Sequence, residues 1–130
     1  MNYPHPRQRG SVSLEAVLLM PILVATLMII VQVALYSYAS RLADAAAREG
    51  TRTVRLAGDP DAGRERAAAF LSTHGARIVL APVVDARATA GVASVMVSGQ
   101  AVSVVPGLHL SVTARSSGPV EAFVPAGAGR

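Results

Sequence analysis

The sequence predicts an α+β chain: a long N-terminal transmembrane helix running into a small head with one short helix and an antiparallel sheet of about three strands. Three observations predict it. Ala16 to Ser40 carries no charged side chain. Asp59-Pro60 and Gly75 bracket a short helical segment, and the chain beyond Ala76 becomes rich in valine with partial alternation. The bulk composition agrees. Hydrophobic residues make up 52%, aromatics only 4% and charged residues 15%, against roughly 25% charged in an ordinary soluble domain. Such a chain is neither a charged disordered tail nor a core built on aromatic anchors.

Residues 1–10 are polar, with Arg7, Arg9 and two prolines, Pro4 and Pro6, that discourage helix. Residues 11–40 form the predicted span. A spanning helix needs about 20 mainly apolar residues, because it crosses roughly 30 Å at about 1.5 Å per residue. The run AVLLMPILVATLMIIVQVALYSYAS meets that length, with Gln32 its most polar member and Tyr36 and Tyr38 near its far end. Tyrosine rings favour the membrane–water boundary. A buried core helix is the alternative, but a remainder of about a hundred residues can hardly wrap such a segment on every side. A cleaved secretory signal would have an apolar region of about 7–15 residues. Here Glu15 stands at the start of a longer run, and the small-residue triplet Ala45-Ala46-Ala47 lies past Arg41 and Asp44.

Residues 41–58 continue the helix as an amphipathic extension. Arg41, Asp44, Arg48, Arg52 and Arg55 recur at three- and four-residue steps and share a face, with Asp44 and Arg48 spaced for an ion pair. Ala43, Ala47, Gly50 and Val54 form a second stripe, small enough to let a neighbouring helix approach closely; alanine's helix propensity alone is the simpler explanation. Residues 59–130 form the head. Asp59 reads as an N-cap with Pro60 at the first helical position and Asp61 on the helix dipole. The helix runs to His74 with Ala67, Phe70 and Leu71 as its apolar side, and Gly75 is expected to close it in the left-handed conformation. Val92, Val95, Val97, Val102, Val104 and Val105 partly alternate, Pro106-Gly107 marks a turn, and Leu108, Leu110, Val112 and Ala114 alternate after it. The tail is expected to be loose at its end.

Several functions lack their residues. There is no cysteine, so disulfides, thiolate metal sites and cysteine nucleophiles are excluded. Without lysine there is no Walker loop, and no G-x-S-x-G elbow occurs. His5, His74 and His109 lie far apart, and no carboxylate–histidine group has metal-ligand spacing. No enzyme activity, cofactor, metal or small-molecule substrate is expected. The net charge of +4 comes from twelve scattered arginines with no interleaved aromatics, so nucleic acid is not an expected partner.

One constellation stands out. Arg9-Gly10-Ser11 is followed by Glu15 at the edge of the apolar run, and a carboxylate at a membrane edge is costly and a functional candidate by default. A cut between Gly10 and Ser11 would create a positive amine on Ser11, with Glu15 the fifth residue after it. In a stack of identical helices, Glu15 of one subunit could neutralise that amine on its neighbour. The competing explanation is an acid near a helix N-terminus, worth about 0.3–1 kcal/mol on the macrodipole.

A basic leader ending in glycine, a glutamate five residues on and a long apolar helix resemble a type IV prepilin. More narrowly, Arg9-Gly10-Ser11, Glu15, Leu19-Met20-Pro21 and Ala46-Ala47-Arg48-Glu49-Gly50-Thr51-Arg52 resemble the TadE-like family of tight adherence (Flp/Tad) pilus proteins. The later SVTARSSGPVEAF is loosely similar to that family's strand-rich ending, while Ala16 stands where the family usually has phenylalanine. The resemblance implies a minor pseudopilin of the pilus or a related secretion apparatus, processed by a membrane prepilin peptidase. Its partners would be that peptidase, other pilins and pseudopilins, and membrane lipid. Gly10 would precede the cut, Ser11 would become the N-terminus, Glu15 would serve assembly, and Pro21 would kink or loosen the span. Ala43, Ala47 and Gly50 would serve helix packing. The N-terminus would be cytoplasmic and the head extracytoplasmic, in the cell membrane or incorporated into a pilus. The simple positive-inside count opposes this orientation, since Arg41, Arg48, Arg52 and Arg55 follow the span and only Arg7 and Arg9 precede it. The rivals are an uncleaved, membrane-anchored extracytoplasmic binding domain and a secreted protein released from its signal.

Overall fold

A computed structural model describes the backbone of residues 9–121 and the side chains of residues 13–121. The leader up to Gln8, with His5, and the tail from Ala122 lie outside the described residues, as does the side chain of Ser11. The order is α1 (Arg9–Ala57), α2 (Pro60–His74), β1 (Val79–Thr89), β2 (Val92–Ala101) and β3 (Leu110–Pro119). The helix, short helix and three-stranded antiparallel sheet make the expected α+β fold.

The predicted span and its extension are one unbroken α-helix of 49 residues, continuous through Pro21 and about 73 Å long at 1.5 Å per residue. It stops at Gly58, which has a positive φ of 69° and donates its N–H to the Val54 carbonyl at 2.8 Å. The left-handed closing glycine therefore belongs to α1. Gly75, expected to play that part for α2, instead sits at φ −127°, ψ 7°. Its N–H bonds the Leu71 carbonyl, and its own carbonyl accepts from Ile78 and Val79, so the chain tightens straight into β1. A Cβ at Gly75 would meet Leu42 and Leu71 only at ordinary contact distance, 3.4 Å, so packing does not require a glycine there. The other end of α2 is as expected, with the Asp59 carboxylate accepting from the Asp61 N–H at 2.9 Å.

The sheet is a meander of two hairpins. Thr89 pairs with Val92 around Ala90 and Gly91, both at positive φ, the geometry that a two-residue turn needs to match strand twist. β1 is an edge strand, and its start is broken by an irregularity between Leu80 and Val83 that holds Pro82, a combination that blunts an edge. Alternation along β2 is strict on the inner face, where Ala93, Val95, Val97 and Ala101 are buried. Val92 and Val104, counted in the same valine pattern, are exposed.

The second half of α1 lies along this inner face, with α2 beside it. The core is alanine and valine plus Leu42 and Leu71; Phe70 packs against it only half-buried, stacked on His74. Small side chains compensate by bringing backbones together. A Cβ on Gly50 would stand 2.9 Å from the Gly63 carbonyl, and one on Gly63 would stand 2.1 Å from Val54 Cγ2 and 2.8 Å from the Gly50 carbonyl. The ion pairs, including the expected Asp44–Arg48 pair, are solvent-facing, where each is worth about 0–1 kcal/mol. Stability therefore rests on the close helix approach. Gly63→Ala is expected to destabilise the head by about 1–3 kcal/mol through overpacking, read as a lowered Tm by circular dichroism in detergent; an unchanged Tm would show that the crossing is not tight.

Candidate functional site

The residues singled out by sequence are spread along α1. Gly10 and Ser11 fall in its first turn, where backbone N–H groups lack intrahelical partners. Glu15 is the seventh helical residue and is exposed. That position lies beyond the first turn, where the macrodipole acts, so the dipole is a poor explanation for this carboxylate. Pro21 sits within the helix, where it leaves the Val17 carbonyl without its usual donor.

From Ser13 to Val31 every described side chain is exposed except Met28, which is half-buried. Leu14, Leu18 and Leu23 are 66–68% exposed, and the only hydroxyl along the stretch from Ala16 to Val31, that of Thr26, is bonded to the Ile22 carbonyl at 2.8 Å. An apolar surface of this extent marks a membrane or protein interaction site. By length and composition the helix can cross a membrane, consistent with membrane anchoring. The bare stretch is about 28 Å long, close to the roughly 30 Å of a hydrocarbon core.

Contact with the head begins at Gln32, eight residues before the boundary at Ser40 expected from charge alone. Gln32 is only 4% exposed. Its Oε1 accepts the Val104 N–H at 2.9 Å, and its Nε2 lies 3.4 Å from the Val102 carbonyl. The Ser103 hydroxyl is 3.0 Å from Gln32 Oε1 and 2.9 Å from the Val105 carbonyl, donating to one at a time. One amide thus fastens the end of the bare helix to the loop between β2 and β3. Sequence reasoning noted Gln32 but gave it no role; a lone amide in an apolar run was the available signal, since a polar group there requires a partner. Tyr36 and Tyr38 consequently stand beside the head, both exposed.

Further along, Ala39, Ala43, Ala46, Ala47, Gly50 and Val54 turn inward. Gly50 meets Gly63 and Ala67 of α2 and Val95 of β2, so the helix approached by the small-residue stripe is the chain's own α2. The Thr51 hydroxyl lies 3.1 Å from the Ser116 carbonyl, and Arg55 Nε donates to the Pro119 carbonyl at 2.8 Å. These contacts make α1 and β3 run in the same direction. Glu15 and the Ala43–Gly50 stripe are not brought together: they stand about 42 Å apart along the helix. Arg55 also reaches Glu121, and Glu49 holds Arg66; of the four arginines after the span, Arg48 and Arg55 are ion-paired, while Arg41 and Arg52 are exposed. Among the described residues no group of three histidines or carboxylates is placed to hold a metal ion.

The family model described as TadE-like protein matches residues 10–52, about a third of the chain, all of it on α1. This agrees with the resemblance carried by Gly10, Glu15 and the Ala46–Arg52 segment: the N-terminal helix is similar to that family. No curated protein and no solved structure is matched by the chain. The matched segment includes Gln32, whose removal has a direct readout. Gln32→Leu leaves the Val104 N–H without its acceptor, a loss of about 1–3 kcal/mol, and is expected to speed amide exchange at Val104 and Val105 while Val95 stays protected. Unchanged exchange at Val104 would mean that the clamp does not hold the loop.

Proposed function

We propose, from a TadE-like N-terminal helix, that this chain is a non-catalytic minor pseudopilin of a tight adherence pilus or a related secretion apparatus. The observation that carries the reading is the two-part α1: a bare apolar stretch headed by Glu15, continuous with a stretch that forms the spine of a folded head. Such a chain is stored in the membrane by its first half and presents the head outside the cytoplasm through its second. A prepilin peptidase removes the leader through Gly10 and frees the Ser11 amine. The cut falls in the first helical turn, where an N-terminus frays most readily. Glu15 then neutralises the Ser11 amine of a neighbouring pilin as helices leave lipid and pack together. In apolar surroundings an unpaired carboxylate is expensive, so the pair favours addition of a subunit in one register. Pro21 weakens the hydrogen-bond ladder between Glu15 and the head, letting the span bend as it changes neighbours. The head adapts or caps the assembly.

Family similarity supports the association with pilus components. Against the positive-inside count, Arg48 is paired with Asp44 and Arg55 with Glu121, which reduces the weight of two of the four arginines after the span; Arg41 and Arg52 keep theirs. Membrane expression with the peptidase should yield, by intact mass and N-terminal sequencing, a chain beginning at Ser11; a mature chain retaining Met1 or Arg9 sinks the reading. Glu15→Gln should leave processing intact but abolish co-purification with other pilins. Full assembly by that variant would reduce Glu15 to an ordinary surface acid.

A further inference from the structure

We propose that the loop between β2 and β3, residues 102–109, is a second membrane contact that seats the head in the lipid interface beside its own helix. This inference rests on the reading of α1 as a membrane span. The loop, VSVVPGLH, projects from the end of the sheet defined by the Ala101–Leu110 pair. Gln32 ties it to the first head-contacting turn of α1, whereas the opposite end of the sheet meets Arg55. The loop therefore lies at the end of the head that faces the span.

Depth follows from length. About 20 residues cross the hydrocarbon core; counted from Ala16, the first residue after the Glu15 carboxylate, they end at Leu35. Gln32 and the loop bonded to it fall one turn inside that limit. Met28, one turn nearer the N-terminus on the Gln32 face, is the single half-buried side chain of the bare stretch. The loop's outward side chains suit such a place: Val104 is 41% exposed and Leu108 is 36% exposed, although both would be expected to turn inward in water.

Backbone pairing is the second, independent observation. Irregular chain is tolerated near hydrocarbon only if its polar groups have partners. Four of the loop's seven N–H groups have partners among the described residues: Val102 donates to Ile78, Val104 to Gln32, Val105 to the Ser103 hydroxyl and Leu108 to the Val105 carbonyl. Pro106 has no N–H to satisfy, and the N–H groups of Ser103, Gly107 and His109 are left to water and headgroups, which suits the interface and not the hydrocarbon core.

Charge favours lipid as the occupant rather than a protein groove. No carboxylate occurs between Ala16 and Ala43, between Arg66 and Val84, or between Ala86 and Val120. Arg77, adjacent to the Ile78 carbonyl that holds Val102, and His109 are exposed at this end of the head, suited to the phosphates of an anionic headgroup layer. The apolar loop with a basic, acid-free rim matches the layering of a bilayer surface.

The absence of native cysteine makes depth measurable in the full chain. Leu108→Cys, Val104→Cys, Ile22→Cys and Ala57→Cys are each labelled with an environment-sensitive fluorophore and reconstituted into phosphatidylethanolamine–phosphatidylglycerol vesicles. Ile22 should be quenched by lipids brominated deep in the acyl chain. Ala57, at the far end of α1, should be quenched by aqueous iodide. Leu108 and Val104 should be quenched severalfold more by lipids brominated near the headgroup than by iodide. Iodide quenching at Leu108 and Val104 equal to that at Ala57, with Ile22 still lipid-quenched, overturns the loop contact and leaves the span standing. Shielding from both quenchers identifies a protein neighbour and also overturns it. Loss of lipid quenching at Ile22 overturns the span itself.

Discussion

A single helix has to serve two surroundings, and that requirement governs the rest of the structure. Where α1 has no protein partner, its side chains are leucine, isoleucine, valine and methionine on every face, as lipid demands and water penalises. Where it enters the head, bulk disappears from one face and Ala39, Ala43, Ala47 and Gly50 take over. The change needs no break in the backbone, because both kinds of residue keep helical geometry at little cost; glycine is the exception, at about 1 kcal/mol relative to alanine. That cost is offset where Gly50 and Gly63 allow the two helices to meet at backbone distance. The head can then be thin: one helix, one partner helix and one sheet, packed with alanine and valine. Large aromatics would force these layers apart, which is the structural reason for an aromatic content of 4%.

Gln32 marks the change of surroundings and explains why the head does not simply hang from a flexible stalk. An amide buried as Gln32 is, at 4% exposure, is unfavourable unless its hydrogen-bonding groups are engaged. Val104 and Ser103 supply that engagement, and α1 in turn holds an otherwise irregular loop. The same residues fix orientation. With Gln32 at one end and Arg55 on the Pro119 carbonyl at the other, β3 is pinned alongside the helix over most of its length. Helix and sheet therefore move as one body, and the weak point of the rod lies outside the head.

Much of this was legible in sequence because it depends on local chemistry. The uncharged run, Asp59-Pro60 before α2 and the Pro106-Gly107 turn each state their structure within a few residues. The Asp44–Arg48 pair follows from helical spacing alone. What was misplaced depends on contacts between distant residues. The predicted span runs to Ser40, ahead of Arg41, the first charge; contact with the head already begins at Gln32, and only the loop 72 residues later reveals it. Gly75 looks like a left-handed closing residue because it follows a helix; instead the chain turns there directly into β1, whose first residue Val79 pairs with Ala101. Gly58, unremarked in sequence, has the positive φ. The stripe at Ala43, Ala47 and Gly50 reads as a close-approach surface, and here it lies against α2; nothing in its spacing distinguishes a helix of the same chain from that of a neighbour.

Rigid attachment at Gln32 also bears on how an event at Glu15 would reach the head. Seventeen residues, about 26 Å of helix, separate the two, and a helix transmits axial displacement well because each turn is bonded to the next. Bending is different: it concentrates where the ladder lacks a bond, and Pro21 provides such a place six residues after Glu15. In the proposed assembly, a proline placed there would let the end carrying Glu15 tilt toward a neighbouring helix without levering the head off its loop. Placed beyond Gln32, the same residue would disturb the packing of Ala39 and Leu42 on which the head is built. The spacing thus puts the weakened stretch on the bare side of Gln32, away from the segment packed into the head. That division follows from one weakened carbonyl and one satisfied amide on the same helix.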